Sequence, residues 1–221
     1  MKQGIFITFE GIEGCGKSTQ AKRLGKALVR MGIAHVMTLE PGGTAIGRHV
    51  RRVLLDSRNK ALMPLAELML YAADRAQHVQ EIIKPALRTG KWVICDRFSD
   101  ATVVYQGAAR GQDRNLIRLL NKVVTQGIRP HLTFLLDCPV EVGLRRALGR
   151  NMKGQDRFEK EAVSFHLKVR KGYLDLARKD KKRFVILDAK ASRKEIEAEI
   201  IRHVDRFLRR NGIAESREQG A

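Results

Sequence analysis

Residues 11–19, Gly-Ile-Glu-Gly-Cys-Gly-Lys-Ser-Thr, constrain this chain more than any other stretch. Gly11, Gly16, Lys17 and Ser18 satisfy G-x-x-x-x-G-K-[ST] between an apolar, β-rich segment, Ile5–Phe9, and a helix-forming one, about Ser18–Met31. A strand–loop–helix turn of this composition is a phosphate cradle. Gly11, Gly14 and Gly16 let successive backbone N–H groups turn inward, and the helix N-terminus adds partial positive charge. The loop from Gly11, Ile12, Glu13, Gly14, Cys15 and Gly16 to Lys17, Ser18 and Thr19 is therefore expected to hold nucleotide phosphates. Lys17 would reach the β- and γ-phosphates and the Ser18 hydroxyl would bind Mg²⁺. The competing reading of the bare pattern is a glycine turn capped by Ser18 and Thr19.

Further apolar segments at Ala34–Leu39, Trp92–Cys95, Leu132–Leu136 and Phe184–Leu187 alternate with helical patterns, which predicts a parallel five-stranded sheet covered by helices. Helices are expected over about Ser18–Met31, Met63–Leu87, Arg114–Thr125, Val140–Leu148, Phe158–Ala177 and Arg193–Arg210. In the Met63–Leu87 helix, Leu65, Leu68, Met69, Ala72, Ala76, Val79 and Ile83 form the expected core stripe. No repeat or linker divides the 221 residues, so one domain over 1–212 and a polar, frayed tail over 213–221 are expected. Residues 145–157, Arg-Arg-Ala-Leu-Gly-Arg-Asn-Met-Lys-Gly-Gln-Asp-Arg, read equally as a solvated helix end or as a lid closing over phosphates.

The charge balance asks for a partner. Forty-three Lys and Arg against 24 Asp and Glu give +19, which suits either nucleic acid or anionic small molecules. The bases are spread along helices and aromatic residues are only 5% of the chain, so a single-strand stacking platform is poorly supplied and nucleic acid is not the expected partner. No apolar run approaches the ~18 residues of a membrane span, and no targeting peptide is apparent, so a cytoplasmic protein is expected. Cys15, Cys95 and Cys138 lack C-x-x-C spacing, and neither a disulfide nor zinc is expected.

A second substrate should sit at the carboxyl ends of the strands. Glu-Pro-Gly-Gly-Thr, residues 40–44, follows the second strand, and Asp-Arg-Phe, residues 96–98, follows the third. Asp96 suits a Mg²⁺-associated carboxylate acting through water, or else a helix N-cap. Arg97 would point into the same crevice, or else form a surface ion pair.

Taken in order, FEGIEGCGKST, EPGGT, YAADRAQH, DRF, YQGAARG and DRFE make the chain resemble bacterial thymidylate kinases from about Ile5 to Asp188. The resemblance implies a P-loop nucleoside monophosphate kinase fold with a small lid, ATP and Mg²⁺ as donor and cofactor, dTMP as acceptor, dTDP as product, and a homodimer. It also implies roles. Glu13 would accept the deoxyribose 3′-hydroxyl, and Arg51 and Arg97 would hold the dTMP phosphate. Tyr71 would stack on thymine, and Arg75, one turn along the same helix, would point at the base or its phosphate. Thr102 and Gln106 would bond the thymine edge and Tyr105 would border the sugar. Arg150, Lys153 and Arg157 are the lid cations for the transferred phosphoryl. Each has a plainer alternative: Tyr71 as core, Arg51 as a solvated helix residue, Tyr105 and Gln106 as turn residues. Leu39, Arg48 and Ala101 stand where the family usually has Arg, Glu and Ser.

On this reading no general base is required, because a phosphomonoester with a second pKa near ~6 is largely a dianion at neutral pH. The work is electrostatic, and Lys17, Mg²⁺, Arg97 and the lid bases do it. Three rivals stay open at this point, the nearest a monophosphate kinase for a different nucleobase, since guanylate and adenylate kinases share the loop. A deoxynucleoside kinase would need a base, for which Glu13 and Glu40 are available. A nucleic-acid-stimulated ATPase would fit the charge.

Overall fold

The computed structural model describes residues 4–149 and 157–210. Strands β1 (Phe6–Glu10), β2 (His35–Leu39), β3 (Trp92–Asp96), β4 (Leu132–Asp137) and β5 (Phe184–Asp188) form one parallel sheet in the order β2-β3-β1-β4-β5. Helices α1 (Lys17–Arg30) and α9 (Arg193–Arg210) pack together beneath one face of it. The other face is covered by a π-helical stretch, Val79–Ile83, and α4 (Lys84–Arg88), which continue α3 (Pro64–His78), and by α8 (Val163–Lys179). Pro85 has no N–H to give and its ring crowds the preceding turn. The wider π turn just ahead of Pro85 accommodates it without breaking the helix.

Strand alternation sorts the central residues. Phe6 packs with Val93, Cys95, Val79 and Ile83 on one face, while Ile7, Phe9, Trp92 and Ile94 face the larger core with Leu24 and Leu28 of α1. β1 is buried throughout, as a central parallel strand covered on both faces must be.

Three elements depart from expectation. Helix α2 (Ala45–Leu55) follows Glu-Pro-Gly-Gly-Thr directly, capped by Thr44 Oγ1, which accepts from Gly47 N at 2.9 Å. Residues 99–109, bearing Tyr-Gln-Gly, are not a turn but α5 (Ser99–Thr102) running into a π-helical stretch, Val103–Ala109. Helix α8 starts at Val163 rather than Phe158, because Phe158 is buried among Tyr71, Tyr105 and Phe165 and the chain turns to put it there. Helices α6 (Arg114–Thr125) and α7 (Val140–Leu148) fall where expected. Of the expected core stripe, Leu68, Ala72, Val79 and Ile83 are buried, but Leu65 and Met69 face outward. The tail expected over 213–221 and the middle of the 145–157 segment, with Arg150 and Lys153, lie outside the described residues.

Candidate active site

The carboxyl ends of β1, β2 and β3 open into a cavity of about 550 Å³. Its lining brings together Glu13, Gly14, Lys17, Ser18, Arg51, Tyr71, Arg75, Asp96, Arg97, Thr102, Tyr105 and Gln106, so residues from four separate motifs, with Arg51 and Thr102 from between them, share one space. Gly11, Ile12, Cys15, Gly16 and Thr19 build the loop around its floor without lining it.

The loop is shaped for an anion. Gly14 has φ 71°, and a Cβ there would lie 1.8 Å from the Gly143 carbonyl oxygen of α7, so only glycine fits. Gly16, at φ 104°, starts α1 with no side chain capping its N–H groups and no acidic residue in its first turn. Those N–H groups are therefore available to phosphate. The Lys17 ammonium is buried in the loop, donating to Ile12 O at 2.7 Å and Gly11 O at 3.1 Å.

Asp96 lies on the α1 face of β3, in register with Phe9 of β1 and Leu39 of β2, and the Ser18 hydroxyl donates to its Oδ2. A hydroxyl and a carboxylate meeting at a helix N-terminus beside Lys17 are hard oxygen donors. Among the described residues no group of three or more His, Cys, Asp or Glu side chains gathers to cage a metal. That donor set fits Mg²⁺, which keeps waters and phosphate oxygens as its other ligands.

Arg97 sits opposite the loop. Its backbone is left-handed, φ 71°, and its guanidinium donates to Glu13 Oε1 at 2.9 Å and to the Tyr173 hydroxyl at 3.3 Å, 4.8 Å from the Tyr105 ring centre. The Tyr105 hydroxyl donates to the same Glu13 oxygen at 2.7 Å. Burial works against charge on Arg97, but Tyr105, Tyr173 and Glu13 outweigh it and its pKa stands well above the ordinary value. Burial likewise opposes ionisation of Glu13; Arg97, His166, Lys17 and Tyr105 together bring its pKa well below the carboxylate range. Glu13 Oε2 and both His166 ring nitrogens are buried without a hydrogen-bond partner, although Nδ1 lies 3.3 Å from Oε2.

The far wall is aromatic. Tyr71 and Phe158 face each other at 6.4 Å, and Phe158 stands edge-on to Tyr105 at 5.6 Å. Gln106 Nε2 donates to the buried Glu67 at 2.8 Å, leaving its own carbonyl oxygen uncommitted. Arg75 is buried and nearly saturated: Nε donates to Glu40 at 2.8 Å, Nη1 to Thr102 and Asn121 at 3.0 Å each, and Nη2 to Phe98 O at 3.2 Å. A guanidinium has five N–H groups, so a single Nη2 hydrogen is left for a ligand. Arg51 Nη1 donates to Pro41 O at 2.7 Å, and its side chain lies against Gly42, where a Cβ would approach Cδ to 2.8 Å.

Arg157 is placed elsewhere than expected. It does not line the cavity; its Nε donates to Leu54 O at 2.9 Å and its Nη2 to Glu67 Oε2 at 2.5 Å, with the guanidinium 4.9 Å from the Phe158 ring centre. Its charge is spent on a buried carboxylate that also receives Arg110 at 3.0 Å, not on the phosphate loop. Sequence reasoning also missed the carboxylates that hold the site. Glu67 anchors Gln106. Glu40, read only as a motif residue and as a base for the rival chemistry, ties Arg75 to His78, whose Nδ1 is 2.8 Å from Glu40 Oε1. Asp74 accepts from Gly42 N at 3.0 Å, and burial, then Glu40, push its pKa up to about 6. Glu10 closes β1. The available signal was a carboxylate inside an otherwise apolar strand or helix face, which a chain keeps only where it is paired.

A parallel α/β sheet with a phosphate loop after β1, a hydroxyl–carboxylate pair that fits Mg²⁺ and an arginine-lined pocket facing that loop make the architecture of a P-loop nucleoside monophosphate kinase. Comparison with known proteins narrows the class. The family model described as thymidylate kinase matches residues 9–200. The thymidylate kinase of Geotalea uraniireducens is 54% identical over 202 residues, 89% of this chain and 94% of that protein. That of Citrifermentans bemidjiense is 50% identical over 218 residues, 96% of this chain and 97% of that protein. The crystal structure of thymidylate kinase from Ehrlichia chaffeensis superposes with a TM-score of 0.74 at 34% identity, covering 91% of this chain and 99% of that one. The chain belongs to the thymidylate kinase family.

Proposed function

We propose that this chain transfers the γ-phosphoryl group of ATP to dTMP, giving dTDP. The observation that carries the reading is the single cavity with Lys17 and the uncapped α1 N-terminus at one end and Arg97, Tyr71 and Gln106 at the other. Lys17 and the loop amides take the donor phosphates, and Arg97 and Arg51 take the acceptor phosphate. Tyr71 and Phe158 stack on the base, Thr102, Gln106 and the free Arg75 hydrogen meet its edge, and Glu13 with Tyr105 borders the sugar. Ser18 and Asp96 would hold Mg²⁺, which supplies charge neutralisation on the transferring phosphoryl. The acceptor arrives as a dianion, so the protein's task is to hold two polyanions in line and compensate their charge.

The rival that needs a base is disfavoured by the carboxylates themselves. Glu13 is tied to Arg97 and Tyr105, and Glu40 has both oxygens committed to Arg75 and His78. Cations of segment 145–157 are assigned to the transferred phosphoryl on the family resemblance, with Arg150 and Lys153 its candidates. One domain with that segment as lid, acting in the cytoplasm, completes the reading. Among the described residues no helix is long and apolar enough to cross a membrane. A homodimer is proposed through Ile46 and Val53 of α2, Met63, Leu65 and Met69 at α3, and Leu119 and Val123 of α6, all exposed apolar residues on helices that pack side by side.

The test is a panel of nucleoside monophosphates and thymidine with Mg²⁺-ATP, read by coupled ADP release with and without DNA. Turnover with dTMP, none with thymidine and no stimulation by DNA are expected. Turnover with thymidine, or hydrolysis that depends on DNA, overturns the proposal.

A further inference from the structure

Glu10 is a buried carboxyl at the end of β1, and the phosphate-transfer chemistry assigns it no part. It projects to the face of the sheet opposite Asp96, as the alternation of Phe6, Thr8 and Glu10 against Ile7 and Phe9 requires. Its Oε1 accepts from Phe98 N at 2.8 Å and its Oε2 meets the Tyr173 hydroxyl at 2.7 Å. Both partners bear on Arg97. The Phe98 N–H belongs to the peptide immediately after Arg97, and the Tyr173 oxygen accepts from Arg97 Nη1 at 3.3 Å. Arg97 holds the left-handed φ of 71° that a residue with a side chain avoids unless its surroundings impose it.

We infer that Glu10 is a positioning residue that aims Arg97 at the acceptor phosphate, pinning the peptide on the far side of the strained residue and orienting the hydroxyl against its guanidinium. The inference rests on the proposed role of Arg97. It gives a reason for a carboxyl in an otherwise apolar setting: one group reaches the backbone of one element and the side chain of another, coupling β1, the β3–α5 turn and α8 at one point.

The charge state follows the same logic. Burial, and then the charge of Asp100, push the Glu10 pKa upward, against Arg97 and the bonds from Tyr173 and Phe98. Asp100 is in turn held bidentate by Arg183 at 2.5 and 3.0 Å. Arg97 thus stands between an ionised Glu13 and a Glu10 that favours its proton. A second ionised carboxylate would neutralise the guanidinium before the phosphate arrives; a protonated one orients it and leaves its charge available.

The test compares wild type, E10Q, E10A and Y173F, with each substrate varied against saturating levels of the other and folding checked by circular dichroism. Glutamine keeps an acceptor for Phe98 N and a donor for the Tyr173 oxygen, so E10Q is expected within about threefold of wild type. Y173F and E10A are expected to raise KM for dTMP by about tenfold or more and lower kcat, with KM for ATP unchanged, as a misaimed clamp does. If E10A does not fold, Y173F and E10Q still decide. An unchanged dTMP KM in Y173F, equal rises in both KM values, or an E10Q as impaired as Y173F overturns the inference. A wild type inert toward dTMP instead overturns the activity on which it rests.

Discussion

Replacing Arg97 by alanine and, separately, by glycine splits two properties that one residue combines. Both variants lose the guanidinium that is proposed to hold the acceptor phosphate and that pairs with Glu13 at 2.9 Å. Loss of a cationic clamp on a transferring phosphoryl costs on the order of 10³-fold in turnover, or about 4 kcal/mol of transition-state stabilisation, and the two variants should share it. Stability should differ between them. The pair's side chains are 17% and 12% exposed, so removing Arg97 leaves a largely buried carboxylate short of its strongest partner. With the Tyr105 hydroxyl still donating, about 3 kcal/mol is expected, the low end for breaking a buried pair. For a chain of this length that lowers Tm by roughly 6–12 °C. Alanine at φ 71° keeps the left-handed penalty, whereas glycine relieves roughly 1 kcal/mol of it, so the glycine variant should melt roughly 2–4 °C higher than the alanine variant. Calorimetry and the coupled ADP assay at saturating substrates read both effects. Near-normal turnover in either variant removes Arg97 from the mechanism, and equal melting points show that the backbone there is unstrained.

Two further outcomes are expected. Lys17→Ala should keep the fold, since Lys17 donates only within its own loop, to two carbonyls and the Cys15 sulfur, yet lose turnover by about 10³-fold; activity within tenfold of wild type at saturating ATP would exclude the assigned role. Asp74, with its folded-state pKa pushed up to about 6 from an ordinary 3.8, favours its protonated form in the native protein, so the stability it confers at low pH is lost as pH rises through 6. Asp74→Asn keeps an acceptor for Gly42 N without the charge, and its stability relative to wild type should grow between pH 4.5 and pH 7.5 in urea titrations; a difference that does not change with pH refutes the burial argument.

What could be read from the chain, and what could not, divides by the range of the interactions. The strand–loop–helix around Gly11–Thr19 was legible because glycine spacing, an apolar strand and an amphipathic helix are all local. The same holds for the five strands and for Arg97, which directly follows β3; that Arg51, Tyr71 and Gln106, all on helical elements, reach the same crevice is legible only through the family resemblance. Helix α2 went unread because its basic residues obscure a narrow apolar stripe, although Thr44 was an available start signal. The 99–109 segment looked like a turn because Gly107 is a helix breaker in isolation; here a Cβ would press on Ile117 of α6 at 3.2 Å, so the glycine serves close packing. Arg157 is a lid cation on the family resemblance alone, in a basic, glycine-containing segment that reads equally as a solvated helix end. What reverses that is Glu67, 90 residues away, a pairing that no local pattern encodes. Leu65 and Met69 fit a helical core stripe by period alone, and period does not say whether a face meets its own core or another molecule.

Lys17 and Arg97, the cations proposed for the donor and the acceptor phosphate, follow two adjoining strands, β1 and β3, locked in the register Phe9↔Asp96. Adjoining strands lie about 4.8 Å apart, so the interval between donor and acceptor is laid down by a rung of the backbone ladder rather than by any flexible segment. Surrounding loops can lengthen, shorten or change sequence while that interval stays as it is. A slip of β3 by one residue, by contrast, would swing Asp96 to the wrong side of the sheet and leave Ser18 without its partner. The working distance of this enzyme is therefore inherited from peptide geometry, and drift can reach it only by unmaking the sheet.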